Sequence, residues 1–318
     1  MRTAIVIALL ASSALAQPSF APPPAISAAP VDTSIHSTLL LPKDTTHAMP
    51  VVLLIAGSGP TDRDGNSPML PGKNNSLRML AEGLAMNGIA SLRYDKRGIG
   101  ESAKAMTSEA DLRFETYIDD AAAFCEQLRV DKRFSSVVIA GHSEGSLIGM
   151  VAAKKCSASG FISIAGIGRP AAEIIRIQLA GKLPPALATQ SDAILKDLEE
   201  GKTTEKPPVE LLALYRPSVQ PYLISWFRYD PAKSIAALSM PVMIIQGTTD
   251  IQVSVDDAKR LAAANPRAKL LIVEGMNHVL KSVSSDKAKQ AASYSDPALM
   301  LAPDLLMNIV DFVRKAGK

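Results

Sequence analysis

Apolar residues fall along the chain in short, nearly unbroken runs, at residues 51–56, 89–94, 137–141, 161–165, 242–246 and 269–273. Runs of this length with little alternation suit β-strands covered on both faces. Between them the period changes. Leu77, Leu80, Ala81 and Leu84 recur at helical spacing after an Asn75-Ser76 cap signal and before Asn87-Gly88, and Ile118, Ala121, Ala122, Cys125 and Leu128 repeat the pattern in the next connection. Leu306, Ile309, Val310 and Val313 mark a closing helix. Strand and helix in alternation predict an α/β fold, a mostly parallel central sheet flanked by helices on both faces.

The rhythm breaks across residues 167–239, where two strands stand much farther apart than elsewhere. An amphipathic stretch at 186–200 lies there among proline breaks at Pro184-Pro185, Pro207-Pro208 and 217–221. A helical cap inserted into a core of residues 35–166 and 240–318 is the economical reading. Upstream, residues 17–34 are rich in Pro, Ala and Ser and read as a leader. Residues 1–16 read as a signal peptide: Arg2 precedes an apolar stretch, and Ala14-Leu15-Ala16 supplies the small residues that cleavage needs. The expected product is secreted or periplasmic, beginning near Gln17. No later stretch approaches the roughly 20 apolar residues of a spanning helix, so no stable membrane insertion is expected.

Composition narrows the partners. The 318 residues are 47% hydrophobic and 20% charged, enough for a large core. The formal charge of +3 is spread without a basic run, which argues against nucleic acid. Of the two cysteines, Cys125 falls on the apolar face of a helix. An oxidising compartment would permit a bridge to Cys156, but a small buried core residue is the stronger reading.

One segment carries chemistry in its context. Val137-Val-Ile-Ala-Gly-His-Ser143-Glu-Gly-Ser146 is a buried strand running through Gly-x-Ser-x-Gly into the apolar helix pattern of Leu147, Ile148, Met150 and Val151. Glycines flanking at that spacing allow a strained turn that lifts the Ser143 hydroxyl above the sheet. Serine needs a base, and a base needs an orienting acid. Of four histidines, His36 and His47 precede the serine and His142 adjoins it; His278, just past a strand, remains. Asp250 closes Pro241-Val-Met-Ile-Ile-Gln-Gly-Thr-Thr-Asp250 at the same sheet edge. Asp256 and Asp257 are its rivals, but they begin a helix, where acids are expected for the dipole. For the oxyanion, backbone amides of Ser58, in Ala56-Gly-Ser-Gly-Pro60, and of Glu144 are the expected donors, with Gly57 or Gly59 as substitutes for Ser58. The Glu144 side chain is assigned no catalytic role, since a carboxylate beside a forming oxyanion opposes it.

With these residues the chain from Ile35 onward resembles the α/β-hydrolase superfamily, and within it the bacterial serine aminopeptidase-like and esterase-like hydrolases. The matches are Gly57-Ser-Gly-Pro-Thr-Asp-Arg-Asp64, Tyr94-Asp-Lys-Arg-Gly-Ile-Gly-Glu-Ser102, the Ser143 motif, Gln246-Gly-Thr-Thr-Asp250 and Met276-Asn-His278. The resemblance implies hydrolysis of a small-molecule acyl ester or amide with no metal and no organic cofactor. Two departures stand out: little room for the family's first strand before Ile35, and Ala56 where a His usually precedes the oxyanion glycine. A carboxylesterase is the leading expectation, with a serine aminopeptidase or thioesterase as the alternative and a non-catalytic binding protein as a further one. An aminopeptidase needs an acid for the substrate ammonium, for which Glu173, Glu199 and Glu200 are the candidates.

Other motifs fail on a single position. Asp62-Arg-Asp-Gly-Asn66 opens like a calcium loop but has Lys73 where a Glu is required. Gly98-Ile-Gly100 has Ala103 in place of the third glycine of a dinucleotide turn. Asp62, Asp64, Asp95 and Arg97 are therefore expected to form an ion-pair network bracing the loops, and Trp226 and Phe227 to pack inside the cap.

Overall fold

The computed structural model describes residues 32–317. The signal-peptide reading of residues 1–16, and the leader as far as residue 31, lie outside them. Within the stretch read as leader, Asp32 is held against Arg97 at 2.7 Å.

Seven strands form one sheet: β1 (Ser37–Leu40), β2 (Met49–Ile55), β3 (Ala90–Tyr94), β4 (Phe134–His142), β5 (Gly160–Ile164), β6 (Val242–Gly247) and β7 (Lys269–Val273). Their spatial order is β1-β3-β2-β4-β5-β6-β7, parallel throughout except for β1 against β3. The alternation of side chains along β2 divides the interior. Val51, Leu53 and Ile55 enter one apolar layer, Val52 and Leu54 the other.

Helices α1 (Ser76–Met86) and α11 (Pro303–Ala316) cover the second layer with Leu77, Leu80, Leu84, Leu305 and Ile309. On the opposite face α2 (Phe114–Val130) and α3 (Glu144–Lys155) bring Ile118, Leu128, Leu147 and Ile148 to the first. Between β5 and β6 lie α4 (Ala171–Leu179), α5 (Pro185–Glu199), α6 (Leu212–Tyr215), α7 (Gln220–Phe227) and α8 (Pro231–Ala236). Helices α9 (Val255–Ala264) and α10 (Lys287–Ser293) follow β6 and β7. None among the described residues is long and apolar enough to cross a membrane.

Three sequence expectations need correction. The edge strand β1 was not foreseen, because Ser-Thr-Leu-Leu is only half-buried and has neither an apolar run nor clear alternation. Asn75 does stand at the start of α1, yet its side chain caps nothing; instead it accepts from the Asn66 amide at 2.9 Å, while the Asp64 carbonyl receives the first-turn amides of Leu77 and Arg78. Cys125 is indeed buried in the core, but it is also joined to Cys156 in a disulfide, linking α2 to the turn after α3.

Candidate active site

The chain winds from β2 to β3 on one side of the sheet and then crosses to β4 on the other side of β2. The carboxyl ends of β2 and β4 therefore flank a switch point, where an open α/β sheet leaves a crevice. Ser143 sits at the end of β4 with φ 55° and ψ −121°, a backbone conformation that non-glycine residues rarely hold. Its neighbours explain how it persists. A Cβ on Gly141 would meet the Gly145 carbonyl oxygen at 2.1 Å, and one on Gly145 would meet the carbonyls of Ile55 and Ala56 at 2.5 and 2.6 Å. No other residue fits either position. The turn leads directly into α3, whose first amide, that of Glu144, has no acceptor within the helix.

The β2 loop closes on the same point. A Cβ on Gly57 would lie 3.1 Å from Cβ of Ser143. The amide of Ser58, next in sequence, donates to no acceptor among the described residues.

Past β6 and β7, two loops are laced together by Thr249, whose amide and hydroxyl donate to the carbonyls of Met276 (3.1 Å) and Gly275 (2.9 Å). The fully buried Asp250 carboxylate lies 2.8 Å through Oδ2 from Nδ1 of His278, itself 5% exposed. Gln246 donates to the same oxygen at 3.0 Å, and the amides of Gln252 and Val253 donate to Oδ1 at 2.8 and 3.0 Å. Burial alone would raise the Asp250 pKa, but the charge and hydrogen bond of His278, with the two amides, outweigh it and bring it below the ordinary value. Asp250 is thus a carboxylate at neutral pH, and Nδ1 of His278 carries the proton that faces it.

Asn277 anchors the histidine loop, donating to Ser293 Oγ on α10 at 2.8 Å and accepting from the Lys281 amide at 3.0 Å. His142 supports it from the elbow, the strained turn at Ser143: Nε2 donates to the His278 carbonyl at 2.8 Å, and the two rings lie 4.7 Å apart. Burial, then the nearby His278, push the His142 pKa down to about 3, so it stays neutral. The Ser143 hydroxyl makes no hydrogen bond among the described residues, to His278 or to any other group. Such contacts often tighten only when substrate binds.

The rival acids lie elsewhere. Asp257 closes a capping box with Ser254 at the start of α9, and Asp256 and Asp257 both pair with Arg169. The expected ion-pair network has Asp95 with Arg63 (2.7 Å), Asp64 with Arg93 (3.0 Å) and Arg97 with Asp120 (2.8 Å). Asp62 departs from it: its carboxylate accepts the amides of Asp64 and Asn66, holding the turn rather than an ion pair. Among the described residues no three His, Cys, Asp or Glu side chains gather as a metal site. Trp226 stacks on Phe114 with centroids 5.9 Å apart, and with Phe227 it packs on Ile167, Ala171, Ile174 and Val253, between the cap and the Asp250 loop.

Sequence reasoning missed one cluster altogether. The Glu144 carboxylate is 4% exposed and lies 2.6 Å from Nζ of Lys96 on one oxygen and 2.6 Å from the Tyr222 hydroxyl on the other. Burial and the carboxylate hold Tyr222 well above its ordinary pKa, so it donates that bond. The charge that appeared to oppose an oxyanion is neutralised inside the protein. The one available signal was a lysine inside the Asp95-Lys-Arg-Gly motif, a residue type that is seldom fully buried without a partner.

A serine on a strained strand-to-helix turn, with an Asp–His pair beyond two later strands of the same parallel sheet, defines the α/β-hydrolase fold. Est1E from Butyrivibrio proteoclasticus, solved with ferulic acid bound, superposes with a TM-score of 0.58 at 17% identity, covering 90% of this chain and 95% of that one. A thermophilic esterase from Thermogutta terrifontis gives 0.54 at 19% identity over 89% and 95%. At the level of sequence, the family described as serine aminopeptidase, S33 matches residues 74–282, and the chain belongs to that family. Esterase EstD of Thermotoga maritima is 31% identical over 236 residues, which are 73% of this chain and 55% of that protein. The chain thus spans little more than half the length of that relative.

Proposed function

We propose that the protein is a serine hydrolase of carboxylic esters in which Ser143, His278 and Asp250 form the triad. The observation that carries the reading is the buried Asp250–His278 pair at 2.8 Å on the sheet edge where Ser143 holds its positive φ. Asp250 fixes the tautomer in which Nε2 of His278 is free to take a proton. As the Ser143 hydroxyl attacks the substrate carbonyl, His278 removes its proton, and the tetrahedral oxyanion is held by the amides of Ser58 and Glu144. The imidazolium protonates the departing alcohol, leaving an acyl-enzyme. Water activated by the same histidine releases the acid.

The acids singled out as candidates for an ammonium are each engaged, which favours ester over aminopeptide chemistry. Glu173 pairs with Arg169 (3.1 Å), Glu199 with Arg176 (2.6 Å) and Glu200 with Lys202 (2.6 Å), while the buried Glu144 is held by Lys96 (2.6 Å). The name of the EstD relative points the same way. The proposal includes export, supported by the amino-terminal pattern and by a disulfide, a bond that persists in oxidising compartments. The amino-terminal sequence of the exported product, beginning near Gln17, tests that part.

A fluorophosphonate probe should label Ser143, identified by mass spectrometry of its tryptic peptide. Ser143→Ala should remain folded and lose several orders of magnitude in kcat on p-nitrophenyl acetate. Parental activity in that variant rejects the assignment, and a labelled enzyme that cleaves aminoacyl amides faster than esters rejects the substrate class.

A further inference from the structure

Lys96 has more to do than neutralise Glu144. Its side chain is 2% exposed, and its ammonium, 4.9 Å from the centre of the Tyr117 ring, donates to two acceptors: Glu144 Oε2 at 2.6 Å and the carbonyl oxygen of Gly57 at 2.8 Å. Taking a charged pair out of water is costly, and apolar residues of similar volume often serve stability as well. The second acceptor is what an apolar replacement could not supply.

Gly57 and Ser58 share a trans peptide unit, since no cis bond occurs among the described residues. In such a unit the C=O and N–H point in opposite directions. Anchoring the Gly57 carbonyl on Lys96 therefore turns the Ser58 N–H to the side away from the lysine. The loop does not fix this orientation by its own sterics, because Gly57, whose ψ turns that unit, has no Cβ to restrict it. The same ammonium reaches the residue that supplies the other oxyanion amide, Glu144, and Tyr222 of α7 completes the link to the cap.

We infer that Lys96 is a positioning residue of the oxyanion hole: it sets the Gly57–Ser58 peptide plane so that the Ser58 N–H faces the reacting carbonyl, and it locks that loop to the elbow through Glu144. The inference rests on the hydrolase reading above, and its test separates the two.

Lys96→Met, Lys96→Arg and the double variant Lys96→Met/Glu144→Gln are compared with the parent in kcat, KM, melting temperature and preference for an O-ester over the matching thionoester, whose sulfur is a poor acceptor for backbone amides. Lys96→Met should lose about 100-fold in kcat, on the scale of one oxyanion donor, with KM changed less than about threefold. Its O-ester preference should shrink about tenfold. The double variant, with no orphaned charge, should regain melting temperature but not kcat. Lys96→Arg, which still donates to the Gly57 carbonyl, should keep kcat within about tenfold of the parent. Recovery of kcat in the double variant, or an unchanged O-ester preference in Lys96→Met, overturns the inference and leaves Lys96 as a counter-ion. Absence of fluorophosphonate labelling at Ser143 in the parent removes the hydrolase reading first, and the inference with it.

Discussion

Replacing Asp250 by Asn changes one atom in a site where four donors converge on two oxygens. Oδ2 receives His278 Nδ1–H and the Gln246 amide; Oδ1 receives the backbone amides of Gln252 and Val253. If the new NH2 takes the Oδ1 place, it confronts two backbone donors that have no other acceptor. If it takes the Oδ2 place, His278 must accept at Nδ1, and its proton moves to Nε2, the atom that the proposed mechanism uses as its base. The second arrangement is the cheaper one, because a ring proton can move whereas backbone amides cannot. On the proposed mechanism His278 is then held in the wrong tautomer, a change that costs on the order of 10⁴ in kcat, about 5.5 kcal/mol of transition-state stabilisation. The Gln246 amide loses one acceptor but keeps the Val253 carbonyl at 3.0 Å, so the accompanying loss of stability should be about 0.5–1.5 kcal/mol. Burst-phase kinetics with p-nitrophenyl acetate, active-site titration and a thermal melt of Asp250→Asn measure the two effects. A variant within tenfold of the parent in kcat, or one whose loss falls wholly on KM, would show that Asp250 does not set the histidine's tautomer.

Two further outcomes concern stability. Cys125 and Cys156 close a loop of 31 residues, worth about 3–4 kcal/mol in chain entropy; the Cys125→Ala/Cys156→Ala variant should melt about 5–8 °C lower, and two free thiols in the unreduced, denatured parent would contradict the bridge. Lys281 is buried against the Met79 sulfur and the Leu299 carbonyl, and burial, opposed weakly by Asp296, depresses its pKa to about 8. Below that pH the ammonium is charged in both folded and unfolded chains and its burial is fully penalised; the penalty fades as pH climbs toward 10.5, the unperturbed value. Lys281→Met should therefore out-melt the parent at pH 7 and lose the advantage by pH 10, and melting curves across that range with the opposite trend would reverse the sign.

What the sequence disclosed was what local pattern encodes. Continuous apolar runs located β2 to β6, because strands buried on both faces cannot hide their hydrophobicity, and β7 showed through its Leu-Leu-Ile-Val run although it lies half-exposed at the sheet edge. Gly141 and Gly145 declared a close approach of backbones that only glycine allows. Asp250 and His278 stood out because each lies a few residues past an apolar run at the carboxyl end of a strand. The rest depended on partners remote in the chain. Lys96 lies 48 residues from Glu144, and Tyr222 a further 78 beyond it, so nothing near any of the three announces the contact. The disulfide was passed over because a cysteine on an apolar helix face looks the same whether its neighbour is a methyl group or another sulfur. Strand β1 is four half-buried residues, Ser-Thr-Leu-Leu, and offers neither an apolar run nor a clear alternation.

The apolar layer that begins with Val51 and Leu53 continues without interruption into Leu195 and Leu198 of α5 and Tyr222 and Leu223 of α7. Insertion and sheet should therefore melt together, with amide protons in α7 exchanging nearly as slowly as those of the central strands, and early exchange throughout α7 would show the two to be separable. For anyone redesigning selectivity, this draws a seam. Side chains that turn outward, such as Ile177 and Val209, can be varied freely, whereas grafting a foreign cap means re-cutting the floor on which it stands.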